Sequence, residues 1–145
     1  KQIVAIRNDQ IRAIVHSANY SDPKAESWLV ECLIRRRDKI GQTYFKKVLP
    51  VDRFTIRNGQ LAFDDLSEQA GFGPAGPFAV QWLQLDNGTG TATPIERASG
   101  FMVPTQGGNY RVAHITNSSR PNQSVDVTIR SDGGRLTVVG VDRKW

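Results

Sequence analysis

The spacing of apolar positions along this chain changes once, near Pro50, and the change separates a helical part from a β-rich part. Before Pro50 the spacing is three and four residues, the repeat that gathers side chains on one side of an α-helix. Ile11, Ile14 and Val15 group in this way behind Asn8 or Asp9, both able to cap a helix start, and predict a short helix into which Ile3 and Ile6 lead. Ser21-Asp22-Pro23 is a stronger start signal. Asp22 can accept from the free N–H groups of a first turn, and Pro23 occupies the first helical position, where no donor is required. Trp28, Leu29, Cys32, Leu33, Ile40 and Tyr44 then recur at helical steps as far as Val48-Leu49-Pro50, which predicts a long helix over residues 23–47.

Beyond Pro50 the period falls to two and the intervening segments fill with Gly, Asn, Asp and Pro. Phe54-Thr55-Ile56-Arg57 and Gln60-Leu61-Ala62-Phe63 flank Asn58-Gly59, the dipeptide that most readily takes the two positive φ values of a tight hairpin. Asp64 to Ala70 reads as one helical turn, and strands are expected over residues 78–86, 91–96, 98–103, 110–116, 124–130 and 135–142. The expected fold is α+β, with N-terminal helices, one short and one long, packed on a C-terminal antiparallel β-sandwich or partly open barrel. A single domain over residues 1–145 is expected, divided into a helical basic part (1–50) and a β-rich part (51–145).

The tri-arginine run in the long helix carries an expectation of its own. With Trp28 at the origin of a helical wheel, Cys32 lies near ~40°, Arg36 near ~80°, Leu29 near ~100°, Ile40 near ~120° and Leu33 near ~140°, while Arg35 and Arg37 lie near ~340° and ~180°. Arg36 thus stands within an apolar stripe, and a guanidinium so placed either snorkels past the core edge or is buried with a carboxylate. Burial is the expectation, with Asp52, Asp64 or Asp65 as the partner and Arg36 tying the helix to the β-layer.

Charge sharpens the division. Residues 1–50 hold ten Lys/Arg against five Asp/Glu, a net +5, and residues 51–145 hold nine against nine, so the whole chain's +5 belongs to the helical part. Arg35, Arg37, Lys39, Lys46 and Lys47 form the candidate partner-binding face, suited to an acidic protein surface, phosphate or anionic headgroups. No apolar run approaches the ~20 residues that cross a bilayer. The chain begins at Lys1 without a charged-then-apolar leader, which points to a processed precursor or a piece of a longer protein.

Catalytic and metal-binding patterns are weak. Cys32 is the one cysteine, so neither an internal disulfide nor a multi-cysteine metal site is expected. Gly71, Gly73 and Gly76 satisfy G-x-G-x-x-G, but Pro74 and Pro77 remove donors and an extended segment follows, so a connector is expected in place of a nucleotide cradle. Asp86-Asn87-Gly88-Thr89-Gly90 lacks the alternating acids of a calcium loop and reads as a hairpin turn. Asp64-Asp65 reads as a helix cap, and His16 and His114 have no second ligand at metal-like spacing. Ser118 and Ser119 sit in a polar loop with no nucleophile elbow. No catalytic residue, cofactor site or metal site is expected, and the chain does not read as an enzyme.

The segment from Tyr20 to Phe54, with Ser21-Asp22-Pro23, Arg36-Arg37-Asp38-Lys39-Ile40 and Pro50-Val51-Asp52-Arg53-Phe54, resembles the C-terminal region of large uncharacterised bacterial proteins, many of them exported. Val80-Gln81-Trp82, Leu85 to Gly90 and Val138 to Arg143 are similar to the end of that region, while Gln106-Gly107-Gly108 and the Asn117 to Asn122 loop depart from it. The resemblance implies a terminal module of a longer precursor and an extracytoplasmic location. The function expected is that of a non-catalytic protein–protein interaction or structural module, a subunit or terminal module of a larger assembly whose partner is another protein chain. One alternative is a carbohydrate-binding β-sandwich using Trp82, Tyr110 or Trp145 as a stacking face. Another is nucleic-acid binding through the basic helix, disfavoured because aromatic residues are not interleaved with the basic ones.

Overall fold

A computed structural model describes residues 2–144 of the chain. The fold is α+β, and the chain forms two compact units, Lys1–Lys46 and Lys47–Trp145.

The first unit is three helices, α1 (Gln2–Ala5), α2 (Asn8–His16) and α3 (Pro23–Phe45). The Asp22 carboxylate accepts from the Lys24 N–H at 2.8 Å, with Pro23 next in the first turn, so α3 starts where Ser21-Asp22-Pro23 predicts. In α2 the helix begins at Asn8, and Arg7 precedes it: the Arg7 N–H donates to the Gln10 side chain, while its guanidinium holds Asp9. A small core of Ile11, Val15 and Val30, flanked by Leu29 and Ile34, joins α2 to α3.

The second unit opens with β1 (Val51–Arg57) and β2 (Gln60–Asp65), an antiparallel hairpin turned by Asn58 and Gly59 at φ 51° and 75°. A side chain at φ +75° meets its own backbone, which is why glycine stands at the second turn position. The one-turn α4 (Leu66–Gln69) follows, with the Asp65 carboxylate accepting from the Ser67 and Glu68 N–H groups. Then come β3 (Phe78–Leu85), β4 (Ala92–Pro94), β5 (Tyr110–Asn117), β6 (Ser124–Asp132) and β7 (Arg135–Lys144), an antiparallel sheet in the order β4-β3-β5-β6-β7.

Alternation decides what this sheet buries. Trp82 pairs with Ala113 and Val80 with Ile115, and these side chains share one face with Val125, Val127 and Ile129. Leu49, Val51 and Leu61 from the hairpin region and Val103 complete a core of ten buried residues, against which the half-buried Val80 packs. The Trp82 indole N–H, wholly enclosed, donates to the Gly100 carbonyl at 2.9 Å. The sheet does not close. Beside the β7 edge, Arg143 crosses to β1, donating to the Val51 carbonyl and the Asp52 carboxylate at 3.0 and 2.8 Å with its guanidinium over the Phe54 ring.

The segment 98–103 is not the strand expected. Arg97 and Gly100 take φ 62° and 68°, which breaks an extended run, and the backbone serves the hairpin: the Leu61 N–H donates to Phe101 O and the Val103 N–H to Gly59 O. Gly71, Gly73 and Gly76 form the connection from α4 to β3, with positive φ at Gly71 and Gly73.

Candidate docking surface

The long helix α3 is apolar over two sectors of its circumference, and one of them is buried. On the wheel with Trp28 at the origin, Arg37, Val30, Gly41, Ile34 and Phe45 span about 180° to 260°. Val30, Gly41 and Phe45 are buried, and Ile34 packs against the small core. The other sector holds Trp28, Cys32, Arg36, Leu29, Ile40, Leu33 and Tyr44, from the origin to about 160°. Trp28 is 67% exposed, and Leu33, Ile40 and Tyr44 are exposed as well. An apolar stripe on a helix is ordinarily packed against a neighbour. In this second stripe Leu29 packs on the small core, while Trp28, Leu33, Ile40 and Tyr44 stay exposed.

The uncovered sector borders a concave feature. Ile3, Ile6, Ile11, Ile14, Leu33 and Ile40 line a cleft of about 320 Å³, with Arg36 and Arg37 its only polar lining residues. Ile3 and Ile6 come from α1 and the turn after it, and Ile14 projects from α2 away from Val15 and stays 66% exposed. Six branched aliphatic side chains around one cleft form an apolar patch of the kind that marks interaction sites.

The two arginines at this cleft do different work, and the expectations for them are exchanged. Arg37, expected on the free basic face, is the half-buried one, its side chain only 13% exposed. Its Nε and Nη2 donate to Asp38 at 2.9 and 2.7 Å and its Nη1 to the Ile6 carbonyl at 2.6 Å, which holds the end of α1 against α3. Arg36, expected to be buried and paired, is exposed at the cleft and makes no ion pair or hydrogen bond with any described residue. The acids proposed for it are engaged elsewhere: Asp52 with Arg143, Asp64 with Arg53, and Asp65 with the α4 N–H groups. The reason is rotational. Val30 and Ile34, which meet the core, lie about 120° and 160° around the helix from Arg36, and of Arg36's own stripe Leu29 packs there, so the guanidinium is left at the surface.

The remaining basic positions are exposed. Arg35 is bonded to Glu31 at 2.8 Å, one turn back on the same helix. Lys39 and Lys47 are exposed, and Lys46 caps α3 as the last residue of the helical unit. Between Trp28 and Lys46 the acids of α3, Glu31 and Asp38, lie near ~300° and ~280°, outside the uncovered sector. That sector and its margin carry Arg35, Arg36 and Lys39.

Elsewhere the structure adds two histidine–carboxylate pairs. His16 Nδ1 lies 3.0 Å from Glu26 Oε1, joining α2 to α3, and His114 is bonded through Nδ1 to Asp126 across β5 and β6. No group of three potential metal ligands comes together among the described residues. Of the aromatic residues considered for sugar stacking, Trp82 is wholly buried, Tyr110 is half-buried, and Trp145 lies outside the described residues. No described helix is long and apolar enough to cross a membrane. The exposed sector of α3 was open to sequence reasoning: Val30 and Ile34 form a second apolar stripe beside the first, and two stripes on one helix signal two contacts.

Comparison with protein-family models, with curated proteins and with solved structures gives no match for this chain.

Proposed function

We propose that this chain is a non-catalytic protein-interaction module, a subunit or module of a larger assembly, which docks on another protein through its helical unit. The observation that carries this reading is the exposed apolar sector of α3 beside the isoleucine cleft. Burying apolar surface yields roughly 25 cal/mol per Å², so side chains such as Leu33, Ile40 and Ile14 left in water are a reservoir of association energy. The excess of basic residues in the same part of the chain selects acidic partners and speeds encounter with them. Carbohydrate binding loses Trp82 as a platform, because its indole is enclosed and bonded to Gly100.

The test is an unbiased selection of peptides against the full chain, followed by hydrogen exchange to locate where the winners sit. Protection over residues 28–44 and in α1 and α2, removed by Leu33→Asp with Ile40→Asp, is the expected result. Winners that protect only the strands would place docking on the β unit and defeat this reading.

A further inference from the structure

On the premise that the helical unit is the docking surface, we infer that its occupant is an amphipathic helix of a partner protein, with one apolar side chain seated among the cleft isoleucines and a carboxylate on Arg36. The cleft is concave and has room for side chains rather than for backbone, at about 320 Å³. A projecting Leu, Ile or Phe fills such a hole, as the anchors of an amphipathic helix do when it lies in a groove. The polar requirement is equally narrow. Arg37 is committed to Asp38 and the Ile6 carbonyl, so Arg36 is the cation at the cleft with its donors unspent. A planar guanidinium with free N–H groups beside an apolar hole is complementary to a carboxylate beside an apolar side chain.

Charge decides among the possible occupants. A second copy would bring its own Arg36 and Lys39 to the seam, and the α3 acid of that sector, Glu26 near ~160°, already faces His16 at 3.0 Å, so self-pairing sets like charges against each other. An anionic lipid surface would meet the cations, but a bilayer surface does not fill a concavity, whereas these aliphatic side chains line one of about 320 Å³ with Ile11 buried at it. An acidic helix satisfies the hole and the cation together.

Two synthetic helical peptides with one leucine seam, differing only in Glu or Lys beside it, test this on the full chain by fluorescence anisotropy and hydrogen exchange. The Glu peptide is expected to bind about tenfold or more tightly than the Lys peptide, to protect α3 from Leu33 to Tyr44, and to lose its advantage with Arg36→Gln. Arg36→Glu, at an exposed position whose folding a thermal melt checks, should invert the preference. If both peptides protect α3 equally, the docking surface stands and carboxylate recognition falls. If neither binds, the inference is overturned; vesicles containing phosphatidylserine that then protect α3 would make the occupant a lipid surface. A concentration-dependent dimer that Ile40→Asp abolishes would make it a second copy, and would overturn the inference also.

Discussion

The two units of this chain handle apolar residues in opposite ways. In the β unit, ten buried residues from the sheet, the hairpin region and Val103 form one core with Trp82 at its centre. In the helical unit three residues, Ile11, Val15 and Val30, form the buried cluster, while Ile3, Ile6, Ile14, Leu33 and Ile40 remain exposed. Both units are supplied with aliphatic side chains, so composition does not explain the contrast. Geometry does. A strand offers one face to a core and the next residue to the other side, so one layer above the sheet suffices. A long helix offers its whole circumference, and the short α1 and α2 cover only one side of α3. The difference teaches where unburied apolar surface gathers: around one cleft on the helices, against Met102, Val139 and Val141 on the β unit.

The tryptophans give the sharpest way to break the comparison. Trp82→Ala should cost about 3–5 kcal/mol, because it empties a packed site and strands the Gly100 carbonyl. Trp28→Ala, at an exposed position, should stay within about 0.5 kcal/mol. Denaturant unfolding of the two variants measures both, and a large loss at Trp28 would mean that its side chain is covered in solution.

Within the helical unit, Arg37 and Arg36 separate support from surface. Arg37→Ala removes charge-assisted bonds to Asp38 and the Ile6 carbonyl from a half-buried site, for an expected loss of about 1.5–3 kcal/mol. Arg36→Ala should change stability by less than about 0.5 kcal/mol. Equal losses in chemical denaturation would undo the distinction drawn between the two guanidiniums.

The smallest effect is in acid titration. Asp9 in the helical unit is held below the ordinary carboxylate range first by its bond from Arg7, whereas Asp86 in the β unit is held low first by the Gly88 N–H and then by that of Thr89. In each case the folded pKa is depressed, so the stabilisation is present above the unfolded carboxylate's pKa and is lost as pH falls through the lower folded value. Carboxyl resonances followed by NMR should show Arg7→Gln raising Asp9 and leaving Asp86 unmoved. A shift at Asp86 would mean that its turn is not the source of its acidity.

What the sequence by itself determined is local. Asp22-Pro23 sets the start of α3 because a cap and a donor-free residue act within one turn, and Asn58-Gly59 sets the hairpin because two positive φ values are a property of those two residues. The alternation after Pro50 locates the strands β3, β5, β6 and β7 for the same reason, whereas 98–103 escapes it, because Arg97 and Gly100 turn the backbone toward a hairpin distant in sequence. Only the tertiary structure decided which side of α3 is covered. Periodicity fixes the angles between side chains on a helix and carries no information about the direction from which its neighbour approaches. With apolar stripes in two sectors, that direction was set by Ile11 and Val15 meeting Val30, and the same rotation put Arg37 inside and Arg36 at the mouth of the cleft.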